Sequence, residues 1–151
     1  MKVDLSTPLD CSADSAWNEV QKCAPLMHVI QPLATVTPID PQGFPERWCE
    51  GMTVQCRTHL FGVIPFGVRT VHFEKIDDTA RKIVTHESDP LVRRWDHTIS
   101  IVPPGKAGSS YRDVIDLDAG VLTFAVWAWT SLFHRHRHRR WRALAPVLRG
   151  W

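Results

Sequence analysis

The sequence lacks the features that would place it at once among membrane-spanning or nucleotide-dependent proteins. No stretch approaches the roughly 18 consecutive apolar residues that a membrane-spanning helix needs. The N-terminal segment contains Asp4 and no apolar run, which is unlike a signal peptide. A phosphate-binding glycine loop, a dinucleotide fingerprint and a G-x-S-x-G nucleophile motif are also missing. We therefore expect a cytoplasmic protein that uses neither nucleotide binding nor serine-hydrolase chemistry.

Cysteine is scarce and its spacing is uninformative. Cys11, Cys23, Cys49 and Cys56 are the only four, and no pair has the C-x-x-C spacing of zinc and redox motifs. Disulfides are rare in the cytoplasm. We expect four reduced thiols, no metal and no other cofactor.

Acidic residues are missing from the last part of the chain. None follows Asp118, whereas six of the 18 basic residues do. The chain as a whole has a net charge of +2, so the part up to Asp118, with 12 basic and all 16 acidic residues, is net negative. The positive charge is therefore concentrated near the C-terminus.

Local patterns predict elements in the order strand, helix, several strands, long helix. Val3, Leu5 and Thr7 alternate with polar residues as in a half-buried strand. A helix capped by Ser12 should follow and end at Pro25, with room for one further turn over 26–31 before Pro32. Further strands are predicted over 34–40, 52–61, 68–77, 82–88, 95–102 and 111–117.

Glycine and proline mark the connections between these strands. Gly62 and Pro65-Phe66-Gly67 predict a turn or bulge, and residues 103–108 predict a loop. About 25 residues without either type follow Gly120, which predicts one helix over 121–145. The 151 residues suit a single α+β domain, in which a curved antiparallel sheet of six to seven strands wraps around the long C-terminal helix.

This element order and several local motifs resemble the START-like, or SRPBCC, superfamily. The motifs are Trp48-x-x-Gly51-Met-Thr-Val, Leu60-Phe61-Gly62-Val-Ile-Pro65, Trp95-Asp-His97, Asp118-Ala-Gly120-Val-Leu-Thr123 and the segment from Phe133 to Trp141. The superfamily includes plant pathogenesis-related allergens, lipid-transfer START domains and aromatic polyketide cyclases, and the chain looks like its small bacterial members. The resemblance implies one ligand-binding domain over 1–151, with a helix-grip fold and a hydrophobic cavity between sheet and helix.

Polar residues inside the strands are the candidate catalytic groups. His97 shares one strand face with Trp95, and Asp113 shares another with Tyr111. If the two strands form a hairpin with coincident apolar faces, His97 and Asp113 both point inward, although a register slip of one residue would separate them. A His–carboxylate pair is able to act as a general base, and Tyr111 as a proton donor. The alternative is that the pair only satisfies itself by hydrogen bonding.

The long helix is the other source of candidate residues. Its predicted apolar face contains Val121, Leu122, Ala125, Val126, Trp129, Leu132 and Phe133, with His136 further along. We predict ligand contacts from Trp17, Trp95, His97, Phe124, Trp129, Phe133 and His136. Truncation of Trp129 or Leu132 to alanine should destabilise the fold. Phe124 and Trp127 fall outside the main face, which favours self-association.

The basic tract His134–Arg142 allows three interpretations. It contains five arginines, three histidines and one tryptophan. Nucleic-acid binding is disfavoured because the rest of the chain is net acidic. Peripheral contact with an anionic membrane fits arginine and tryptophan beside an apolar segment. A solvated helix end, paired with the acidic body of the protein, is the favoured interpretation.

Three functional hypotheses follow. The first is a binding protein for a small hydrophobic or amphipathic molecule such as a lipid, polyketide, quinone or aromatic metabolite. The second is a cyclase- or dehydratase-type enzyme that uses His97 and Asp113 as an acid–base pair in the same cavity. The third is a non-catalytic homodimeric interaction module.

Overall fold

The computed structural model describes residues 1–103 and 108–150, so part of the predicted loop at 103–108 lies outside the described residues. Seven strands and three α-helices are arranged in the predicted order. They are β1 (Lys2–Leu9), α1 (Ala13–Val20), α2 (Cys23–Ile30), β2 (Ala34–Pro38), β3 (Thr53–Leu60), β4 (Ile64–Asp77), β5 (Lys82–Ser88), β6 (Arg94–Val102), β7 (Ser109–Asp118) and α3 (Thr123–Leu144). Short 3₁₀ turns at Gly120–Leu122 and Ala145–Gly150 flank α3.

The strands form one curved antiparallel sheet in the order β1-β7-β6-β5-β4-β3-β2. Neighbours in the sheet are neighbours in sequence, except that β1 pairs with β7. α3 packs against β1, β7 and α2, and α2 in turn packs beside β2. The α+β helix-grip prediction is therefore confirmed, with α3 as the helix that the sheet surrounds.

The first helical region differs from its prediction. Instead of one helix that ends at Pro25, α1 ends at Val20 and α2 begins at Cys23. The break occurs because backbone groups of Gln21 and Cys23 hydrogen bond to Trp48 and Glu46, respectively. Pro25 lies in the first turn of α2, where a missing N–H costs nothing because that position has no intrahelical acceptor.

The β3–β4 connection is a tight turn followed by a bulge, as predicted. Gly62 has a φ of 74°, in the left-handed region that glycine adopts without strain. Thr58 pairs with Gly67 and His59 with Pro65, so Phe66 is the extra residue of the bulge. This local bend brings Phe66 to the space between the sheet and α3.

The buried face of α3 differs in part from the predicted apolar face: Ala125, Val126, Trp129 and Phe133 line the space between the sheet and α3, but other residues of that face do not. Leu132 is 59% exposed, and Val121 is fully exposed. The buried side chains are instead Thr130, His134, Arg137, His138 and Trp141, which recur at helical spacing on one face. The helix is turned this way because these polar groups find partners on the sheet.

None of the described helices combines the length and the apolar character that crossing a bilayer requires. All four cysteines are free thiols. Burial raises the pKa of the Cys56 thiol to about 11.

Candidate functional site

A cavity of about 510 Å³ lies between the inner face of the sheet and the helices. Its wall is largely apolar. Among the lining residues are Leu26, Met27 and Ile30 from α2, Val54 from β3, Val71 and Phe73 from β4, and Ala125, Val126, Trp129 and Phe133 from α3. The volume is within the range of ~300–1,000 Å³ that is typical of small-molecule sites.

The structure divides the predicted ligand-contact residues into two groups. Trp95, His97, Trp129 and Phe133 line the cavity, as does Tyr111. The remaining three predicted residues, Trp17, Phe124 and His136, do not line the cavity.

Trp17 is buried in the core but does not line the cavity, and the Nε1 atom of its ring donates a hydrogen bond to Oδ1 of Asp78, 2.8 Å away. Phe124 is 68% exposed on the outer side of α3. His136 hydrogen bonds through Nε2 to the carbonyl oxygen of Gln31 at 2.7 Å, outside the cavity wall. None of these three residues is among those that line the cavity, so their role as ligand contacts stays a prediction.

His97 and Asp113 are brought together by the β6–β7 register. His97 lies opposite Ile115 and Ile99 lies opposite Asp113, so the two polar residues are diagonal neighbours on the inner face. His97 Nε2 is 2.7 Å from Asp113 Oδ1. His97 lines the cavity, whereas Asp113 is fully buried behind it.

Asp113 is the centre of a buried hydrogen-bond network. Tyr111 Oη donates to Asp113 Oδ1 at 3.0 Å, and His138 Nε2 lies 3.0 Å from Asp113 Oδ2. Burial alone would raise the pKa of Asp113, but the nearby charges of Arg137 and His97 and the hydrogen bond from His138 hold it well below its usual range. The carboxylate is therefore ionised, and both of its oxygens are engaged.

Arg137 connects this carboxylate to the histidine one turn earlier on α3. Its Nη2 donates to Tyr111 Oη and its Nη1 lies within hydrogen-bond distance of His134 Nε2, both at 3.2 Å. His134 Nδ1 is 3.0 Å from the carbonyl oxygen of Thr130, so it carries the proton while Nε2 accepts. Burial and the neighbouring Arg137 charge lower the pKa of His134 well below its usual value, so this histidine is neutral.

A second carboxylate is held on the neighbouring strand. Arg69 donates through Nε to Glu87 Oε2 and through Nη1 to Asp89 Oδ2, both at 2.7 Å. The same guanidinium lies over the Trp95 ring, 4.4 Å from its centroid. Burial alone would raise the pKa of Glu87, but Arg69 and His97 lower it strongly.

His97 lies between the two carboxylates. Its Nε2 faces Asp113, and its Nδ1 is 3.5 Å from Glu87 Oε1. Although burial favours the neutral ring, the charges and hydrogen bonds of Asp113 and Glu87 raise the pKa of His97 above its usual value. Both ring nitrogens of His97 therefore face carboxylate oxygens, an arrangement that favours the protonated imidazolium.

We call this set the buried polar cluster; it consists of Arg69, Glu87, Asp89, His97, Tyr111, Asp113, His134, Arg137 and His138. Its charges balance when His97 is protonated, because three carboxylates face two guanidinium groups and one imidazolium. Pairing and hydrogen bonding of this kind are what make buried charges tolerable in a folded protein.

Part of the cluster has the composition of a metal site. Ligand atoms of His97, Asp113 and His134 lie within 4.8 Å of one another. However, the Arg137 guanidinium occupies Nε2 of His134, and His97 and Asp113 hydrogen bond to each other. A positive guanidinium at this distance opposes a bound cation, so these residues fit a hydrogen-bond network better than a metal centre.

Sequence reasoning missed the α3 members of this cluster. His134, Arg137 and His138 belong to the tract that was expected to be a solvated helix end, yet all three are buried. Arg135, Arg139 and Arg142 of the tract are exposed, and Arg140 donates to the carbonyl oxygen of His28. The signal in the sequence was the spacing of His134, Arg137, His138 and Trp141. They lie at i, i+3, i+4 and i+7, which places them on one face of a helix.

Comparison with known proteins places this geometry in a structural context. Three similar solved structures are a START superfamily protein from Mycobacterium smegmatis, truncated norcoclaurine synthase from Thalictrum flavum and the Zhui aromatase/cyclase from Streptomyces sp. R1128. Their TM-scores are 0.65, 0.67 and 0.65, with sequence identities of 14%, 15% and 11%. The matches cover 97%, 95% and 97% of this chain and 98%, 92% and 93% of the other chains, respectively.

Similarity at this level of identity establishes the fold alone. No curated protein matches the sequence. The family described as "Domain of unknown function (DUF8410)" matches residues 7–144. The chain thus has a START-like, or SRPBCC, fold. Because the family model matches most of its length, the chain belongs to the DUF8410 family.

Proposed function

We propose that the protein binds a small hydrophobic or amphipathic molecule in the cavity between the sheet and α3. The observation that carries the proposal is the cavity itself, with a volume of about 510 Å³ and a wall built largely from aliphatic and aromatic side chains. Removing apolar ligand surface from water contributes about 25 cal/mol per Å², so such a wall favours an apolar occupant. A lipid, polyketide, quinone or aromatic metabolite has this character.

The polar groups at the cavity support binding more than acid–base catalysis. His97 is the polar side chain best placed to meet a ligand, but Asp113 and Glu87 occupy its two nitrogens. His134 is neutral, but its nitrogens are engaged by Thr130 and Arg137. An acid–base catalyst needs a lone pair or a proton directed at the ligand, whereas the ring nitrogens of His97 and His134 are directed at protein groups.

A matched pair of valine substitutions tests the proposal. Val54 lines the cavity, whereas Val114 on β7 alternates with buried residues and faces outward. Val54→Phe should fill part of the cavity, and Val114→Phe should leave it unchanged. The measurement is a titration with the apolar fluorescent probe anilinonaphthalene sulfonate, together with native mass spectrometry of protein purified without detergent.

We expect wild type and Val114→Phe to bind the probe with equal affinity and to retain any co-purified mass. Val54→Phe should bind at least about tenfold more weakly, since a loss of ~1.4 kcal/mol corresponds to that factor. Circular dichroism must show that both variants are folded. A folded Val54→Phe variant with unchanged probe affinity would show that the cavity is not the binding site.

A further inference from the structure

One end of the molecule carries a concentration of exposed apolar side chains. They are Phe61, Val63 and Ile64 in and beside the β3–β4 turn, Val121 in the 3₁₀ turn before α3, and Phe124 and Leu132 on the outer side of α3. We call these six residues the mouth face. Such residues occur singly on most protein surfaces, but a contiguous group marks an interaction site.

Sheet topology brings the two halves of the mouth face together. Leu60 at the end of β3 pairs with Ile64 at the start of β4, and Arg94 at the start of β6 pairs with Asp118 at the end of β7, just before α3. These strand ends lie at the same end of the sheet. The rings of Phe61 and Trp129 are in edge contact, with centroids 6.0 Å apart, which joins the turn directly to α3.

The cavity opens at this face. Leu60, Leu122 and Ala125 line the cavity, and Leu122 and Ala125 are exposed at the same time. A molecule that covers the mouth face therefore also covers the opening through which a ligand would pass.

The outer side of α3 carries positive charge without an acidic residue in the helix itself. Asp118 lies just before the helix and accepts a hydrogen bond from the backbone N–H of Gly120. The β3–β4 turn lies within residues 51–73, and α3 lies within residues 119–151; neither stretch contains an acidic residue. All 16 acidic residues lie in other parts of the chain. Along the outer side of α3, the apolar residues are followed by Arg135, Arg139 and Arg142, which are exposed and continue the same helix face.

We propose that the mouth face docks on membranes that contain anionic phospholipid. The apolar side chains would enter the interface between headgroups and acyl chains, and the three arginines would contact the phosphates. Apolar residues beside a row of arginines, without acidic neighbours in the segment, match the chemistry of interfacial helices. This proposal does not depend on what occupies the cavity.

The test is co-sedimentation of the whole protein with vesicles. One set contains phosphatidylglycerol mixed with phosphatidylcholine, and the other contains phosphatidylcholine alone. We expect the protein to pellet with the anionic set at low salt and to be released at high salt, because salt screens charges at the surface. It should not pellet with phosphatidylcholine alone.

Two matched pairs of variants localise the contact. The triple variant Arg135→Gln, Arg139→Gln, Arg142→Gln should bind on the order of a hundredfold more weakly, since each arginine near the surface contributes about 1 kcal/mol. The charge-matched control is Lys75→Gln, Lys82→Gln, Arg112→Gln on the strands, away from the mouth face, which should bind as wild type. The variant Val121→Ser, Phe124→Ser should also lose binding, whereas Ile39→Ser, Val102→Ser, at the opposite end of the sheet, should retain it.

Four results would overturn the proposal: no pelleting of folded protein with anionic vesicles at low salt, equal losses in both charge variants, retained binding in Val121→Ser, Phe124→Ser, or a dimer that Phe124→Ser dissociates. The last, measured by sedimentation velocity, would identify the mouth face as a homodimer interface instead.

Discussion

His138 and Asp113 form a hydrogen bond of 3.0 Å between the C-terminal helix and β7, in the interior of the protein. The histidine belongs to the most basic segment of the chain, and the aspartate is fully buried. Part of the positive charge near the C-terminus is therefore buried and compensates the Asp113 carboxylate, since the charge of Arg137 also acts on that carboxylate.

Replacing Asp113 with asparagine should destabilise the protein by about 3–5 kcal/mol, because His97 and Arg137 would lose the charge that compensates them. Urea denaturation measures the change. Asp116→Asn, on the same strand but partly exposed, is the control and should cost about 1 kcal/mol or less. Similar losses in both variants would mean that Asp113 has no special role.

Arg137→Gln should be strongly destabilising, by about 3–5 kcal/mol, whereas Arg135→Gln should stay within about 0.5 kcal/mol of wild type. The two residues are two positions apart on α3, but only Arg137 is buried, against Tyr111 and His134. Thermal denaturation followed by circular dichroism compares them directly. Equal stability of the two variants would contradict the orientation of α3.

Stability should depend on pH through His97. Its pKa is raised above 6.5 in the folded protein, so its contribution is fully present below pH 6.5 and is lost as pH rises through the folded pKa. The pKa of His134 is lowered, so its contribution is present above pH 6.5 and is lost only as pH falls.

The measurement is the free energy of unfolding from about pH 6 to about pH 9.5, the range that spans the titration of a histidine with a raised pKa. The difference in stability between wild type and His97→Gln should shrink as pH rises, because wild type alone loses the His97 contribution. Other groups that titrate in this range are common to both proteins, so the difference removes their contribution. A difference that is constant across this range would show that His97 is not held protonated.

Trp141→Ala should cost about 3–5 kcal/mol, because Trp141 is only 2% exposed and packs beside Tyr111. Leu132→Ala, expected from the sequence to be equally damaging, should change stability by less than about 0.5 kcal/mol because the side chain is exposed. Denaturant midpoints provide the comparison. A large loss of stability in Leu132→Ala would mean that the apolar face predicted from the sequence is the buried face of α3.

The sheet and the long helix could be predicted because their patterns are local. Alternation along β1 and β7, the turn at Gly62 and the uninterrupted run after Gly120 each depend on neighbouring residues only. The proximity of His97 and Asp113 also followed from alternation, once the two strands were paired as a hairpin.

The buried face of α3 could not be predicted in the same way. Residues 121–133 are apolar almost all round the helix, so periodicity selects no single face. Burial of Arg137 depends on Tyr111 and Asp113, which are distant in sequence. A buried arginine is rare without such partners, so an isolated basic tract is more readily interpreted as solvated.

The break between α1 and α2 had a similar origin. Helical spacing continued to Ala24, but hydrogen bonds to Glu46 and Trp48 competed for the backbone of Gln21 and Cys23. Trp17 was assigned to the cavity on size and periodicity alone. Its ring instead donates a hydrogen bond to Asp78, and it is not among the residues that line the cavity. In each case a partner remote in sequence decided the outcome.

The polar contacts of α3 also restrict how the helix can move. An apolar stripe tolerates sliding and rotation, since one methyl group replaces another at little cost. Hydrogen bonds from Arg137 and His138 are directional, and a shift by one residue would turn the helix by about 100° and place Arg135 or Arg139 toward the sheet. These hydrogen bonds therefore fix the rotation of α3 about its own axis. As a result, the cavity-lining side chains of α3 keep their positions, although apolar contacts alone would not hold them there.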